Sequence, residues 1–233
     1  MNKITMDVFY TQAMDLIDLL EKQEMENMIK AAELCAEAIK NDGVVHIFGS
    51  GHSVGFGSEC TGRAGSLVPF HMIETNNHFE RRANVADKLY DLYDVRPQDV
   101  FIVISNSGIN GVVIDLAITA KAKGHKIIII TSMKHTLAEP SRHPSGKKLY
   151  ELGDVVIDNC GPRGDALIET GELEKICSVS SITGIYIAQS LTAEICRILA
   201  EDHCDIPLLL SEEVSGYEKF NADLLNQYKG RIS

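Results

Sequence analysis

Small polar residues follow three apolar segments of the chain, at the point where each segment ends. Serine and threonine hydroxyls donate hydrogen bonds, and glycine lets backbone N–H groups approach a ligand closely. Such groups suit a small dianion, for example a phosphate monoester. The residues that we predict at this anion site are Gly49, Ser50, Gly51 and Ser53 after the first segment, Ser105, Asn106, Ser107, Gly108 and Asn110 after the second, and Thr131 and Ser132 after the third.

The segment Ser105–Gly108 has a simpler interpretation as a turn that leads into a helix cap. Two further observations favour the anion site. The other two hydroxyl segments are expected beside it, and the helix that begins near Asn110 or Gly111 directs its positive end toward the same place.

Five short apolar runs are typical of buried strands, and helical patterns lie between them. We predict strands at 44–48, 67–74, 99–105, 126–132 and 154–159, a final core helix at about 172–200, and a short helix near 217–228. Strands that are apolar on both faces and joined by helices form parallel sheets. The predicted class is therefore α/β, a three-layer α/β/α sandwich with a five-stranded parallel sheet.

The first 43 residues read as a long helical segment, one helix or two with a kink, over 4–40. Its apolar residues recur at three- and four-residue spacing, and Gly43 lies where the helix should end. Either a second subunit covers its other face, or it is a surface helix with one buried stripe. We divide the chain into this segment (1–43), the core domain (44–200) and a polar tail (201–233).

Composition excludes several classes of function. The net charge of −11 disfavours nucleic acid as a partner. The N-terminus lacks the pattern of a secretion signal, and no stretch is apolar enough to cross a bilayer, so we expect a cytoplasmic protein that does not bind membranes. The six cysteines form no CxxC pair and are expected to be reduced, buried and structural. We expect no metal, because ligand spacings such as HxH are missing, and no cofactor.

Two nucleotide-binding motifs are incomplete. The phosphate-loop pattern GxxxxGK[ST] does not occur, and Gly49, Gly51 and Gly55 give GxGxxxG in place of GxGxxG. Glu74 ends the second predicted strand, where a ribose-binding acid would stand. A dinucleotide site is kept as an alternative.

At this point the sequence resembles the SIS (sugar isomerase) domain. The resemblance is carried by "IFGSGHS" (47–53) and by "VFIVISNSGINGVVIDLAITAKAKGHKIIIITS" (100–132), and it extends over about 30–200. It implies a flavodoxin-like fold and a phosphosugar ligand. Within the family it implies that Ser50, Ser53, Ser105, Ser107 and Asn110 contact the phosphate.

The segment "SECTGR" (58–63) is similar to "EELTGR" of phosphoheptose isomerases, in which the acid is the catalytic base. The resemblance assigns that role to Glu59, which would move a proton between two sugar carbons through an enediol. The alternative is that Glu59 forms a salt bridge with Arg63.

Those enzymes carry a catalytic histidine on the last core helix, whereas "YIAQSLTAEICRIL" (186–199) offers only Gln189 and Glu194. A second acid must come from His52, from His78 or from a neighbouring subunit, and we choose His52 because it lies within the anion loop. His46 is expected in the core, and His125 is expected to be exposed.

The sequence therefore predicts a homodimeric or tetrameric phosphosugar-binding SIS protein that interconverts an aldose and a ketose. A non-catalytic phosphosugar sensor and a phosphosugar lyase or etherase are the alternatives.

Overall fold

A computed structural model describes residues 4–74, 81–171, 175–214 and 216–232. Its main sheet is parallel and has five strands in the order β2-β1-β3-β4-β5. The predicted α/β class is confirmed. The strands are β1 (Val45–Gly49), β2 (Phe70–Met72), β3 (Val100–Ile104), β4 (Lys126–Thr131) and β5 (Val155–Asp158).

Helices cover both faces of this sheet and make three layers. Alternate residues of each central strand enter opposite cores, so that Ile102 packs in one core and Val103 in the other. The first core includes α1 (Met6–Lys40), α2 (Val54–Cys60) and α6 (Ser180–Glu201), and the second includes α3 (Ala86–Tyr90) and α4 (Gly111–Ala122). The two remaining helices are α5 (Met133–Ala138) and α7 (Glu218–Gln227).

The N-terminal segment is one unbroken helix. The Thr5 hydroxyl caps its start by accepting from the Val8 N–H at 3.4 Å, and the Gly43 N–H donates to the Ala38 carbonyl at 2.8 Å at its end. One stripe of α1 packs on α6 and the sheet. Met6, Tyr10 and Met25 are exposed. Coverage of these residues by a second subunit stays a prediction.

The last core helix begins later than the sequence pattern predicts. Residues 175–179 precede it, and β7 (Ile176–Ser178) pairs antiparallel with β6 (Ala166–Ile168) in a small hairpin. Residues 172–174 of the predicted helix lie outside the described residues. A short apolar run suits a strand and a helix equally by periodicity, and here pairing with β6 decides.

The second strand is also shorter than predicted. Leu67 and Val68 do not extend β2 but pair with the C-terminal tail, where the Val68 N–H donates to the Pro207 carbonyl at 2.8 Å. Pro69 lies between the two pairings and has no N–H to give to the sheet.

A buried ionic network lies at the amino ends of the strands. The Arg231 guanidinium donates to both Asp99 carboxylate oxygens at 2.6 and 2.8 Å, and His46 Nε2 lies 3.1 Å from the same carboxylate. Burial alone would raise the pKa of Asp99, but hydrogen bonds from His46, Arg231 and two backbone N–H groups lower it to about 2. The core position predicted for His46 is confirmed.

The prediction that His125 is exposed was wrong. Its ring is buried, with Nε2 at 2.6 Å from the Tyr90 hydroxyl and Nδ1 at 3.0 Å from the Asp99 carbonyl oxygen. Burial lowers the pKa of His125. The helix cap before His125 predicted an exposed side chain. The chain instead turns directly into β4, and the His125 ring packs against Tyr90 and Phe101.

Candidate functional site

The sheet order places a crevice between β1 and β3. The chain runs outward from β1 to β2 on one side and from β3 to β4 and β5 on the other, so the loops after β1 and β3 diverge to opposite faces. Ligands of such sheets bind at this switch point, beyond the carboxyl ends of the strands. The loops after β1 and β3 are the first two predicted anion loops.

These two loops line one open pocket of about 430 Å³, which we call the loop pocket. It brings together most of the predicted site residues. The predicted residues that line it are Ser50, His52, Ser53, Ser105, Asn106, Ser107 and Asn110.

Three hydroxyl groups of the loop pocket are unused by the protein. Among the described residues, nothing hydrogen-bonds to the side-chain oxygens of Ser50, Ser53 and Ser107. The Ser105 hydroxyl accepts from the Gly108 N–H at 3.2 Å and keeps its own proton to donate. The pocket therefore offers up to four hydroxyl donors to a ligand.

Glycine is required at two positions in these loops. A Cβ on Gly49 would lie 2.8 Å from the Ser53 carbonyl oxygen, because the turn after β1 folds tightly back. Gly108 has a φ of +62°, and a Cβ there would lie 2.5 Å from the Thr136 hydroxyl. Both loops hold their shape because these residues lack side chains. Gly51, with a φ of +61°, continues the turn after Ser50.

The N-terminus of α4 is close to the Ser105–Gly108 loop. Asn110 precedes the helix, but its side chain does not cap it, and its Oδ1 accepts from Arg142 Nη1 at 2.8 Å. The first backbone N–H groups of α4 thus keep their partial positive charge beside the pocket.

Thr131 and Ser132 are placed differently from the other predicted residues. Their hydroxyls are buried and donate within the protein, from Thr131 to the Ser105 carbonyl and from Ser132 to the Gly161 carbonyl, each at 2.7 Å. Ser132 also caps α5 by accepting from the His135 N–H at 3.1 Å. These contacts fix the loops, and neither residue lines the loop pocket. Direct contact with a phosphate stays a prediction.

One wall of the loop pocket lies outside the three predicted anion loops. It comes from His135 at the start of α5 and from the β6–β7 hairpin with Asp165, Lys175 and Cys177. Cys177 is exposed, so the burial predicted for the cysteines was wrong at this position. Burial lowers the pKa of His135. Lys175 Nζ lies 3.1 Å from the Glu169 carboxylate. The segment 161–169, which follows the fifth strand, suggests from the sequence that Gly164 and Asp165 could close over a ligand. No local pattern indicates His135 and Lys175, which reach the pocket only through the tertiary fold.

His52 faces a carboxylate across the loop pocket. His52 Nε2 lies 3.8 Å from Asp165 Oδ2. The start of α6 fixes Asp165, whose carboxylate accepts from the Ser180 N–H and the Ser180 hydroxyl, each at 2.8 Å. An exposed imidazole beside a fixed carboxylate can take up and return a proton.

Glu59 lies one helical turn past Gly55, outside the residues that line the loop pocket. Its carboxylate forms an ion pair with Arg63 and accepts from Gln189 Nε2 at 3.2 Å. Glu194 pairs with Arg197 at 2.7 Å. His78 lies outside the described residues. The ion pair with Arg63 matches the alternative interpretation of Glu59, and its catalytic role stays a prediction.

The described residues contain no cluster of three or more histidine, cysteine or acidic side chains that could hold a metal ion. Within the same ranges, no helix is both long and apolar enough to cross a membrane.

The family model of the SIS domain matches residues 8–132. The chain therefore belongs to the SIS-domain proteins, as its loops predicted. More particularly, it belongs to the UPF0309 family. It is 36% identical over 227 residues to the UPF0309 protein of Listeria monocytogenes serovar 1/2a, with 96% of this chain and 97% of the relative covered.

Solved structures share the fold. The phosphoheptose isomerase of Neisseria gonorrhoeae is similar with a TM-score of 0.56 and 19% identity, over 81% of this chain and 95% of that one. The NanR protein of Vibrio vulnificus, complexed with ManNAc-6P, is similar with a TM-score of 0.55 and 16% identity, over 84% of this chain and 63% of that one.

Proposed function

We propose that this protein binds a sugar phosphate in the loop pocket and interconverts its aldose and ketose forms. The observation that carries the proposal is that the hydroxyls of Ser50, Ser53 and Ser107, at the switch point of the sheet, have no hydrogen-bond partner among the described residues. A buried or half-buried hydroxyl usually finds a partner in the protein. Several such hydroxyls that face one pocket without a described partner suit a ligand rich in acceptor oxygens.

The phosphate would lie against Ser105–Gly108 and the N-terminus of α4. The net charge of −11 does not oppose this placement, because backbone N–H groups and hydroxyls bind a phosphate locally without a cationic surface. The sugar then extends toward His52, Asp165 and the hairpin, which form the rest of the pocket.

Isomerisation requires a group that moves a proton between two neighbouring carbons. We assign this role to His52, whose Nε2 lies 3.8 Å from the Asp165 carboxylate. A phosphoheptose isomerase shares this fold at 19% identity, and an isomerase reaction is consistent with that shared fold.

A phosphosugar sensor is the second candidate. It is favoured by the position of Glu59, which is ion-paired to Arg63 and lies outside the loop pocket. A sensor would bind the same ligands and turn none of them over. The two candidates are therefore separated by a turnover assay on whichever sugar phosphate binds.

Binding is tested by thermal unfolding with hexose, heptose and amino-sugar phosphates, each beside its unphosphorylated parent. A ligand at 100 times its dissociation constant should stabilise the protein by about 2.7 kcal/mol, which raises the melting temperature measurably. We expect this rise with phosphorylated members alone. Equal shifts for a sugar and its phosphate would contradict the phosphate site.

Ser107→Ala should weaken binding of a sugar phosphate by roughly 10- to 150-fold. A hydrogen bond to a charged group contributes about 1.5–3 kcal/mol, and the Ser107 hydroxyl has no partner in the described protein to lose. Ser58→Ala, on the exposed side of α2, is the matched control and should bind like the wild type. Calorimetric titration measures both, and equal affinities of the two variants would remove Ser107 from the site.

A further inference from the structure

A second, smaller cavity of about 70 Å³ opens beside the loop pocket. The two share the 52–53 turn and Asn106. The other walls of the small cavity expose mainly apolar surface, which comes from Phe56 of α2, Ile104 of β3, and Gly184 and Ile185 of α6. Asn159, Ser180 and Ser181 add polar groups to the same walls. We call this cavity the annex. Its volume is roughly one sixth of the 430 Å³ of the loop pocket, which suits a group of a few heavy atoms.

One wall of the annex, at residue 184, has no side chain. Gly184 lies in the first half of α6, where glycine costs about 1 kcal/mol relative to alanine. Its φ is not positive, and a Cβ there would meet only Phe56 Cδ2, at an ordinary 3.8 Å. Neither backbone conformation nor crowding requires glycine. Because Gly184 has no side chain, the space beside Phe56 stays open.

The mouth of the annex carries hydrogen-bond donors. Asn106 Oδ1 accepts from Asn159 Nδ2 at 2.9 Å, and Asn159 Oδ1 in turn accepts from the Gly161 N–H at 2.9 Å. This chain of hydrogen bonds fixes the amide of Asn106. Its Nδ2 group has no partner within the described part of the protein, and neither has the Ser53 hydroxyl.

Donors at the mouth and apolar walls inside match an acyl group. A carbonyl oxygen would accept at Asn106 or Ser53, and the methyl group beyond it would lie between Phe56, Ile104 and Gly184. A free ammonium group would lose its hydration against the apolar walls, and the Asp165 carboxylate behind Ser180 already accepts two hydrogen bonds from that residue. A hydroxyl group would leave the apolar space unfilled.

We propose that the annex binds the acyl group of a 2-acylamino sugar phosphate whose phosphate lies on the serine loops. This inference rests on the proposed function, since the phosphate must occupy the loop pocket. It adds a preference for acylated over free amino-sugar phosphates, which the phosphate site alone cannot provide.

Calorimetric titration of the full chain tests the preference with two matched pairs. One pair is N-acetylglucosamine 6-phosphate and glucosamine 6-phosphate, and the other is N-acetylmannosamine 6-phosphate and mannosamine 6-phosphate. We expect the acetylated member of at least one pair to bind about tenfold or more tightly than its amine, since a small apolar group in a fitted pocket contributes a factor of this size.

Gly184→Ala places a methyl group in the annex without a steric conflict in the protein. It should reduce the advantage of the acetylated sugar to less than threefold, leave the affinity for the amine unchanged, and not lower the melting temperature. Ala193→Leu, which adds bulk to the exposed face of the same helix, is the control and should leave both affinities unchanged.

Equal binding within both pairs would overturn the acyl site and leave the proposed function intact. Equal loss of both members of a pair in Gly184→Ala would overturn it too, because the annex would then not distinguish the acyl group. If none of the four sugar phosphates, nor any member of the wider phosphosugar panel, binds the wild type, the proposed function fails and this inference with it. The wild-type comparison holds whether or not the variant folds.

Discussion

Replacing His52 with glutamine should lower turnover of the bound sugar phosphate by about 10²- to 10⁴-fold, the usual contribution of a general acid–base group. Glutamine keeps a polar side chain of similar reach but cannot take up a proton. Binding should change little, because the phosphate donors Ser50 and Ser107 remain. Steady-state kinetics on the tightest-binding sugar phosphate, with calorimetric affinities beside them, measure the two effects separately.

Glu59→Gln is the comparison variant, and it separates our two catalytic candidates. Because Glu59 pairs with Arg63 and does not line the loop pocket, we expect its turnover to fall less than tenfold. A loss as large as that of His52→Gln would restore Glu59 as the base. Full turnover in His52→Gln would instead remove His52 from the chemistry.

The largest loss of stability is expected from Arg231→Met. The Asp99 side chain is fully buried and Arg231 nearly so, and removal of one partner leaves the other charge buried and unpaired. Breaking such a pair costs about 3–5 kcal/mol. Urea unfolding should therefore show a lower midpoint with an unchanged slope.

Arg197→Met is the matched control for this variant. Arg197 also pairs with carboxylates, Glu194 and Glu201, but at the surface of α6, where a pair contributes about 0–1 kcal/mol. Similar losses in the two variants would contradict the special role of the buried pair.

The pH dependence gives a second check on Arg231. The pKa of Asp99 is about 2 in the folded protein, below its ordinary value near 3.8. A carboxyl group with a lowered pKa in the folded protein stabilises the fold at pH values above its pKa in the unfolded chain. This stabilisation is lost as the pH falls through its pKa in the folded protein. The advantage of the wild type over Arg231→Met should therefore be complete at neutral pH and shrink between about pH 4 and pH 2.

Local patterns in the sequence determined the sheet and the two loops that form the pocket. The runs of β3 and β4 are short, rich in β-branched residues and apolar on both faces, and this combination favours a covered parallel strand. Gly49 ends β1, where a Cβ would collide with the Ser53 carbonyl oxygen, and Gly108 lies in the loop after β3 with a positive φ. Such features are local, so they are present in the sequence before the chain folds.

The tertiary structure alone decided which polar groups remain available to a ligand. Thr131 and Ser107 read alike in the sequence, yet the hydroxyl of Thr131 is consumed by the Ser105 carbonyl while that of Ser107 has no partner in the described protein. Asp165 and Gly184 come from distant parts of the chain and acquire a role only beside His52 and Phe56. Hydrogen-bond partners and cavities depend on contacts between segments far apart in the chain, and residue periodicity carries no information about such contacts.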